Sequence, residues 1–116
     1  MRQLVRIAKV LSDETRIRML KLLLEKDICV CEMEQIIPLS ESQLSRTLNM
    51  MMDAGLLKKW RDGRCVVYFA DRGTNDRTCR AILELVDRSF DDDEQILKDR
   101  AMLRKVKADQ VREHCK

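Results

Sequence analysis

The spacing of apolar residues changes period at Gly55, and no other feature restricts the fold as much. Upstream, S-E-S-Q-L-S-R-T-L-N-M-M-M-D-A-G (Ser40 to Gly55) carries Leu44, Leu48, Met51 and Met52 at helical intervals. Ser40 followed three residues later by Gln43 is a capping box, and Gly55 suits the left-handed turn that ends a helix. Downstream, Leu56 to Arg61, then Asp62-Gly63, then Arg64 to Phe69 read as two strands joined by a tight turn. The outer face of the helix carries Ser42, Gln43, Ser45, Arg46, Thr47 and Asn49, with Glu41 and Asp53 only at its ends. Short hydrogen-bonding side chains and a guanidinium reach phosphates and base edges, whereas a merely solvated face is more often Glu- and Lys-rich. With Ser40 at the helix start, and Arg61 and Arg64 flanking the hairpin tip, these are the candidate contacts to duplex DNA.

The rest of the chain reads as helices around that unit. Residues 2 to 11 place Leu4, Ile7, Ala8 and Leu11 on one stripe. Ser12 is the expected cap of a second helix running to about Glu25, with Ile17, Leu20, Leu23 and Leu24 inward and Arg16, Arg18 and Lys21 outward. A third, from near Cys29 to Ile37, stops at Pro38, leaving the short link of a helix-turn-helix before Ser40. After a polar loop (71 to 76), a helix from about Asp76 to Phe90 places Cys79, Ile82, Leu83, Val86 and Phe90 on one face. A last helix after Asp93 has a sparse stripe of Ile96, Leu97, Leu103, Val106 and Val111. The terminal helices (1–11 and 76–112) offer more apolar face than one small core needs, so a homodimer pairing them across a two-fold axis is expected.

The fold class is therefore mainly α with a β-hairpin wing (56–69), a winged helix-turn-helix in one domain spanning 1–116. Aromatics are only 3% of the chain, which suits aliphatic helix packing. A net charge of +3 makes any polyanion-binding surface a local one. No apolar run approaches the roughly 20 residues of a membrane span and no leader is evident, so a cytoplasmic protein with no membrane partner is expected. Five cysteines (29, 31, 65, 79 and 115) in that compartment are free thiols or ligands rather than structural disulfides. The chain offers no cofactor loop, catalytic His or paired carboxylates, which speaks against an enzyme.

L-S-D-E-T-R-I-R-M-L (Leu11 to Leu20), D-I-C-V-C-E (Asp27 to Glu32), S-x-S-Q-L-S-R-T-L (Ser40 to Leu48), A-G-L-L (Ala54 to Leu57) and D-G-R-C-V-V-Y (Asp62 to Tyr68) resemble the ArsR/SmtB family of metal-responsive repressors, and C-V-C most resembles its arsenic-sensing branch. The resemblance covers about residues 3 to 90. It implies a dimeric repressor that leaves its operator when an inducer, here arsenite or antimonite, binds. It also implies Ser45 and Arg46 as recognition-helix contacts beside Ser42, Gln43 and Asn49, with Arg61 and Arg64 as wing contacts.

Within that resemblance Cys29 and Cys31 carry the chemistry, since thiolates select soft ions and a helix start lowers a thiol's pKa. In a regular helix, however, residues two apart point roughly 200° from each other. Joint binding would then unwind the first turn of the third helix and tilt the reading helix. The branch often places a third Cys three residues after the pair; here that position is Glu34. Cys115 is the expected substitute, Cys65 lies on a strand of undetermined face, and Cys79 belongs to an apolar stripe. His114 would suit zinc but stands at a solvated end. Lead and cadmium relatives carry an N-terminal Cys extension, and zinc and nickel relatives an Asp/His set on the helix matching 76 to 90; neither is seen. A thiol-redox switch is the competing reading, as is a response to cadmium, lead or zinc.

Overall fold

All residues from Met19 to Leu24 are buried, which makes α2 (Glu14–Glu25) the element on which the others close. The structure, a computed structural model, describes residues 1–107 and 111–112. Around α2 stand α1 (Arg2–Val10), β1 (Ile28–Cys29), α3 (Val30–Glu34), α4 (Glu41–Asp53), β2 (Leu57–Asp62), β3 (Cys65–Ala70), α5 (Arg77–Arg88) and α6 (Glu94–Lys105). A helix buried through a continuous run must be covered on more than one side. Here α5, α6 and β3 all pack on it.

That enclosure corrects two outward assignments. Lys21 is only 2% exposed, and its ammonium donates to the carbonyls of Val86 at 3.2 Å and Asp87 at 3.1 Å, capping the negative end of α5. Arg18 forks onto Asp99 of α6, with Nε at 2.8 Å and Nη2 at 2.9 Å from the two carboxylate oxygens. Through this pair α6 folds back on its own chain. It ends at Lys105, so Val111 lies beyond it, and Leu97 is exposed. The cap of α2 is Asp13 rather than Ser12, whose hydroxyl instead donates to the Lys9 carbonyl at 2.8 Å. Leu4 and Phe90, on the apolar stripes of the terminal helices, are exposed in the single chain.

The helix expected over Cys29 to Ile37 is divided. Ile28 and Cys29 are extended and pair with Tyr68 and Val67, adding a third strand to the hairpin in the order β1-β3-β2, all antiparallel. The helix proper covers Val30–Glu34. α4 follows the sequence reading closely. The Ser40 hydroxyl accepts from Gln43 N–H at 3.2 Å, and Gln43 Oε1 accepts from Ser40 N–H at 2.9 Å. Its far end is a Schellman turn: Gly55 N–H reaches the Met52 carbonyl at 2.9 Å and Leu56 N–H the Met51 carbonyl at 3.0 Å. Gly55 has φ +89°, and a Cβ there would stand 2.9 Å from Cys79 Sγ.

β2 and β3 pair from Leu57↔Ala70 to Asp62↔Cys65, so the hairpin turn is Gly63-Arg64, one residue later than Asp62-Gly63. Positive φ occurs only at Gly63 in this turn, the pattern of a two-residue loop with glycine first. The shift makes Asp62 the last strand residue and sets Cys65 opposite it.

Candidate thiol site and nucleic-acid interface

Leu44, Thr47, Leu48 and Met51 form the inward side of α4. Ser40, Ser42, Gln43, Arg46 and Asn49 are exposed and Ser45 is half-buried. Thr47, read as part of the outer face, is 7% exposed and lies with the leucines on the inward side of α4. On the hairpin, Lys58, Lys59, Arg61 and Arg64 are all exposed. The structure thus presents a capped helix with a hydrogen-bonding face, followed after Ala54-Gly55-Leu56 by a cationic β-ribbon.

The second assembly is a small apolar cluster of Cys29, Cys65 and Val67 with Cys31 packed against it. Side chains on one strand alternate between faces, so Cys65 and Val67, two residues apart on β3, project to the same side. Cys29 is the register partner of Val67 and shares that side. At Val30 the chain turns helical, and the first turn of α3 brings Cys31 over the same face. The ligand atoms of Cys29, Cys31 and Cys65 all lie within 4.8 Å of one another. Cys29 and Cys65 are each 1% exposed and Cys31 is half-buried, so among the described residues the cluster is most open at Cys31.

This geometry removes the conflict foreseen from the sequence. Cys29 precedes the helix in an extended conformation (φ −92°, ψ 165°), so its sulfur and that of Cys31 converge with α3 intact. The third sulfur among the described residues is that of Cys65. Cys115 and His114 lie outside the described residues. Glu34, which takes the place of the third Cys in the motif, is exposed. Cys79 belongs elsewhere: its thiol donates to the Ala54 carbonyl and accepts from Gln3 Nε2, both at 3.3 Å.

Charged groups surround the thiols. Cys29 occupies the N-cap position of α3 in a capping box with Glu32, its sulfur standing where a Ser hydroxyl is usual. Glu32 is 0% exposed, and its Oε1 accepts from Cys29 N–H at 3.1 Å and from Arg112 Nε at 2.9 Å. Lys26 Nζ lies 3.7 Å from the other oxygen. Arg112 Nη1 reaches Asp62 at 3.1 Å, and the Arg112 carbonyl accepts from the Cys65 thiol at 3.3 Å. Burial pushes the Cys29 thiol above its ordinary pKa and outweighs the Glu32 N–H, which acts the other way. The lowering by the helix start, expected from the sequence, is present but is overridden by burial. A buried, protonated thiol is a poor nucleophile toward oxidants, yet it can still exchange its proton for a soft ion.

Residues 13–59 match the family described as "Bacterial regulatory protein, arsR family". Among curated proteins, the chain is 40% identical over 63 residues to the "Arsenic resistance transcriptional regulator ArsR1" of Pseudomonas putida, covering 53% of this chain and 49% of that one. It is 37% identical over 62 residues to the "Cadmium resistance transcriptional regulatory protein CadC" of Listeria innocua, covering 53% and 52%. The chain therefore spans about half the length of these relatives. With the "Uncharacterized HTH-type transcriptional regulator MJ1325" of Methanocaldococcus jannaschii it shares 33% identity over 82 residues, 70% of this chain and 88% of that one. A solved structure, "Reduced HlyU from Vibrio cholerae N16961", superposes with a TM-score of 0.62 at 26% identity, covering 77% of this chain and 90% of the other. With a matching family domain, a relative covered nearly end to end and the same winged fold, the chain belongs to the ArsR family of helix-turn-helix transcriptional regulators.

Proposed function

We propose that the protein is a homodimeric repressor released from its operator by trivalent arsenic or antimony held by Cys29, Cys31 and Cys65. The observation that carries this is the set of three sulfurs within 4.8 Å of one another. Zinc favours four tetrahedral ligands from Cys, His and carboxylates. The described cluster offers three sulfurs, with no His or carboxylate among them, and so fits a three-coordinate thiophilic ion better. When bound, such an ion supplies three soft bonds to sulfur. Cys29, Cys31 and Cys65 each give up one S–H proton, and the three protons leave as water with the three hydroxyls of arsenous acid. No electron transfer is needed.

On the DNA side, Ser42, Gln43, Ser45, Arg46 and Asn49 read the groove, with Ser40 at the helix start and Arg61 and Arg64 on the flanking backbone. Two such helices held about one DNA turn apart, roughly 34 Å, require a dimer. Leu4 and Val5 of α1 and Leu85 of α5 remain exposed in the single chain, an apolar surface suited to a second copy.

The test is a titration of the operator-bound protein with arsenite, antimonite, cadmium, lead, zinc and hydrogen peroxide, read by fluorescence anisotropy of labelled DNA. Release by arsenite and antimonite at the lowest concentrations is the expected result. Release by peroxide alone would replace the ion by a disulfide switch, and release by cadmium or zinc alone would overturn the three-sulfur assignment.

A further inference from the structure

Arg112 reaches three separate groups around the thiol site. Its guanidinium holds Glu32 Oε1 through Nε at 2.9 Å and Nη2 at 2.8 Å, and Asp62 through Nη1 at 3.1 Å. Its backbone carbonyl receives the Cys65 thiol at 3.3 Å. Glu32 in turn receives the Cys29 N–H. One residue near the C-terminal end of the described chain therefore touches the first turn of α3, a sulfur of the cluster and the end of the first wing strand. Asp62 directly precedes the wing turn and sits between Arg61 and Gly63-Arg64, the stretch that carries the cationic tip.

The two ion pairs differ in exposure, Asp62 at the ribbon end being 48% exposed. The Arg112 side chain is 20% exposed and Glu32 fully enclosed, so their pair is shielded from the solvent and salt that weaken surface ion pairs. Arg112 bridges two acidic residues from elements that are distant in sequence, α3 and β2. The sequence itself gives no hint of this: one Arg in a charged tail has no periodicity or motif.

We infer that Arg112 is the coupling residue of this regulator, fastening the wing tip to the thiol site while the site is empty and letting go when the three sulfurs are occupied. The inference rests on the thiol site proposed above. A sulfur bonded to an ion has no proton to donate, so loading the cluster removes the Cys65 donor from the Arg112 carbonyl. Drawing the three sulfurs onto one centre also moves Cys29, whose N–H shares Glu32 Oε1 with Arg112. Both changes act on the same residue. With the hold on Asp62 loosened, Arg61 and Arg64 lose their fixed position against the operator backbone. Because coupling is reciprocal, operator binding should weaken the ion by the same factor.

The experiment uses the full chain and its variants Arg112→Gln, Arg112→Lys and Asp62→Asn. Operator affinity is measured by anisotropy with and without saturating arsenite, and ion uptake by the sulfur-to-ion charge-transfer absorption. Arg112→Gln and Asp62→Asn should lose operator affinity in the empty protein only, shrinking the empty-to-loaded affinity ratio by on the order of tenfold, within the usual range of allosteric coupling. Uptake should stay at the parent stoichiometry, and Arg112→Lys should keep part of the ratio through one remaining ion pair. A purely structural role would weaken empty and loaded proteins alike and leave the ratio unchanged, which overturns the inference. Asp62→Asn leaves the Glu32 pair in place and so decides the matter should Arg112→Gln fold poorly. A parent protein that takes up no ion brings down the thiol site and this inference together. A parent that binds and releases, with variants of equal ratio, brings down the inference alone.

Discussion

Replacing Cys65 by Ser removes one ligand atom from a site whose three sulfurs already stand within 4.8 Å. Two linked sulfurs would remain, and the third position would pass to water or a small thiol from solution. A tethered ligand acts at an effective concentration that typically adds 10²–10⁴ to overall affinity, so uptake of arsenite should weaken by about that factor, roughly 3–5 kcal/mol. The fold should survive. Cys65 is buried, but Ser keeps a donor for the Arg112 carbonyl, and the structural cost should be on the order of 1 kcal/mol. Charge-transfer absorption with a competing dithiol chelator gives the affinity, and alkylation after loading counts the protected thiols, which should fall from three to two. Cys115→Ser, the alternative raised by the sequence, should stay within about twofold of the parent. Binding by Cys65→Ser within about threefold of the parent, or a loss that falls on Cys115→Ser instead, would refute Cys65 as the third ligand.

Gly55→Ala should destabilise the fold by about 2–4 kcal/mol in denaturant titrations, combining a left-handed backbone (φ +89°) with a Cβ 2.9 Å from Cys79 Sγ. Adding Cys79→Ala should recover the steric part and leave the backbone part. Burial pushes the Cys79 thiol up to about 11, with Asp76 adding to the effect. The folded state therefore holds this proton more tightly than the unfolded chain, and the resulting stability, complete below the ordinary thiol range, drains away as pH rises through about 11. Up to about 2–3 kcal/mol should separate the pH profiles of the parent and Cys79→Ala over that interval. Lys21→Met should lower stability by about 2–3 kcal/mol by leaving the Val86 and Asp87 carbonyls unpaired, seen as a fall in Tm with the operator-binding face untouched.

The helix from Ser40 and the hairpin after Gly55 were legible because local chemistry dictates them: a reciprocal cap, a glycine stop and a glycine turn act within a few residues. The thiol site was half legible. Cys29 and Cys31 stand out by spacing, but a strand as short as β1 carries no alternation to detect, so Cys29 reads as part of a helix it only precedes. Cys65 entered the cluster through that same strand, since its face is defined by the pairing of Cys29 with Val67. Lys21 and Arg18 read as outward because helical periodicity assumes one buried side, whereas α2 is covered by several elements. Thr47 reads as outward by its hydroxyl, although the residue lies buried on the inward side of α4.

The Schellman turn at Gly55 has a mechanical corollary. Leu56, immediately after it, is tied back to Met51 through its N–H and receives the Asp71 N–H on its carbonyl at 3.0 Å, so the ribbon is clamped at its root on both strands. A lever pinned at its fulcrum can be moved only from its far end. Evolution of a new effector response in such a scaffold has little to gain from altering the joint between helix and ribbon, and most to gain from whatever grips the distal loop.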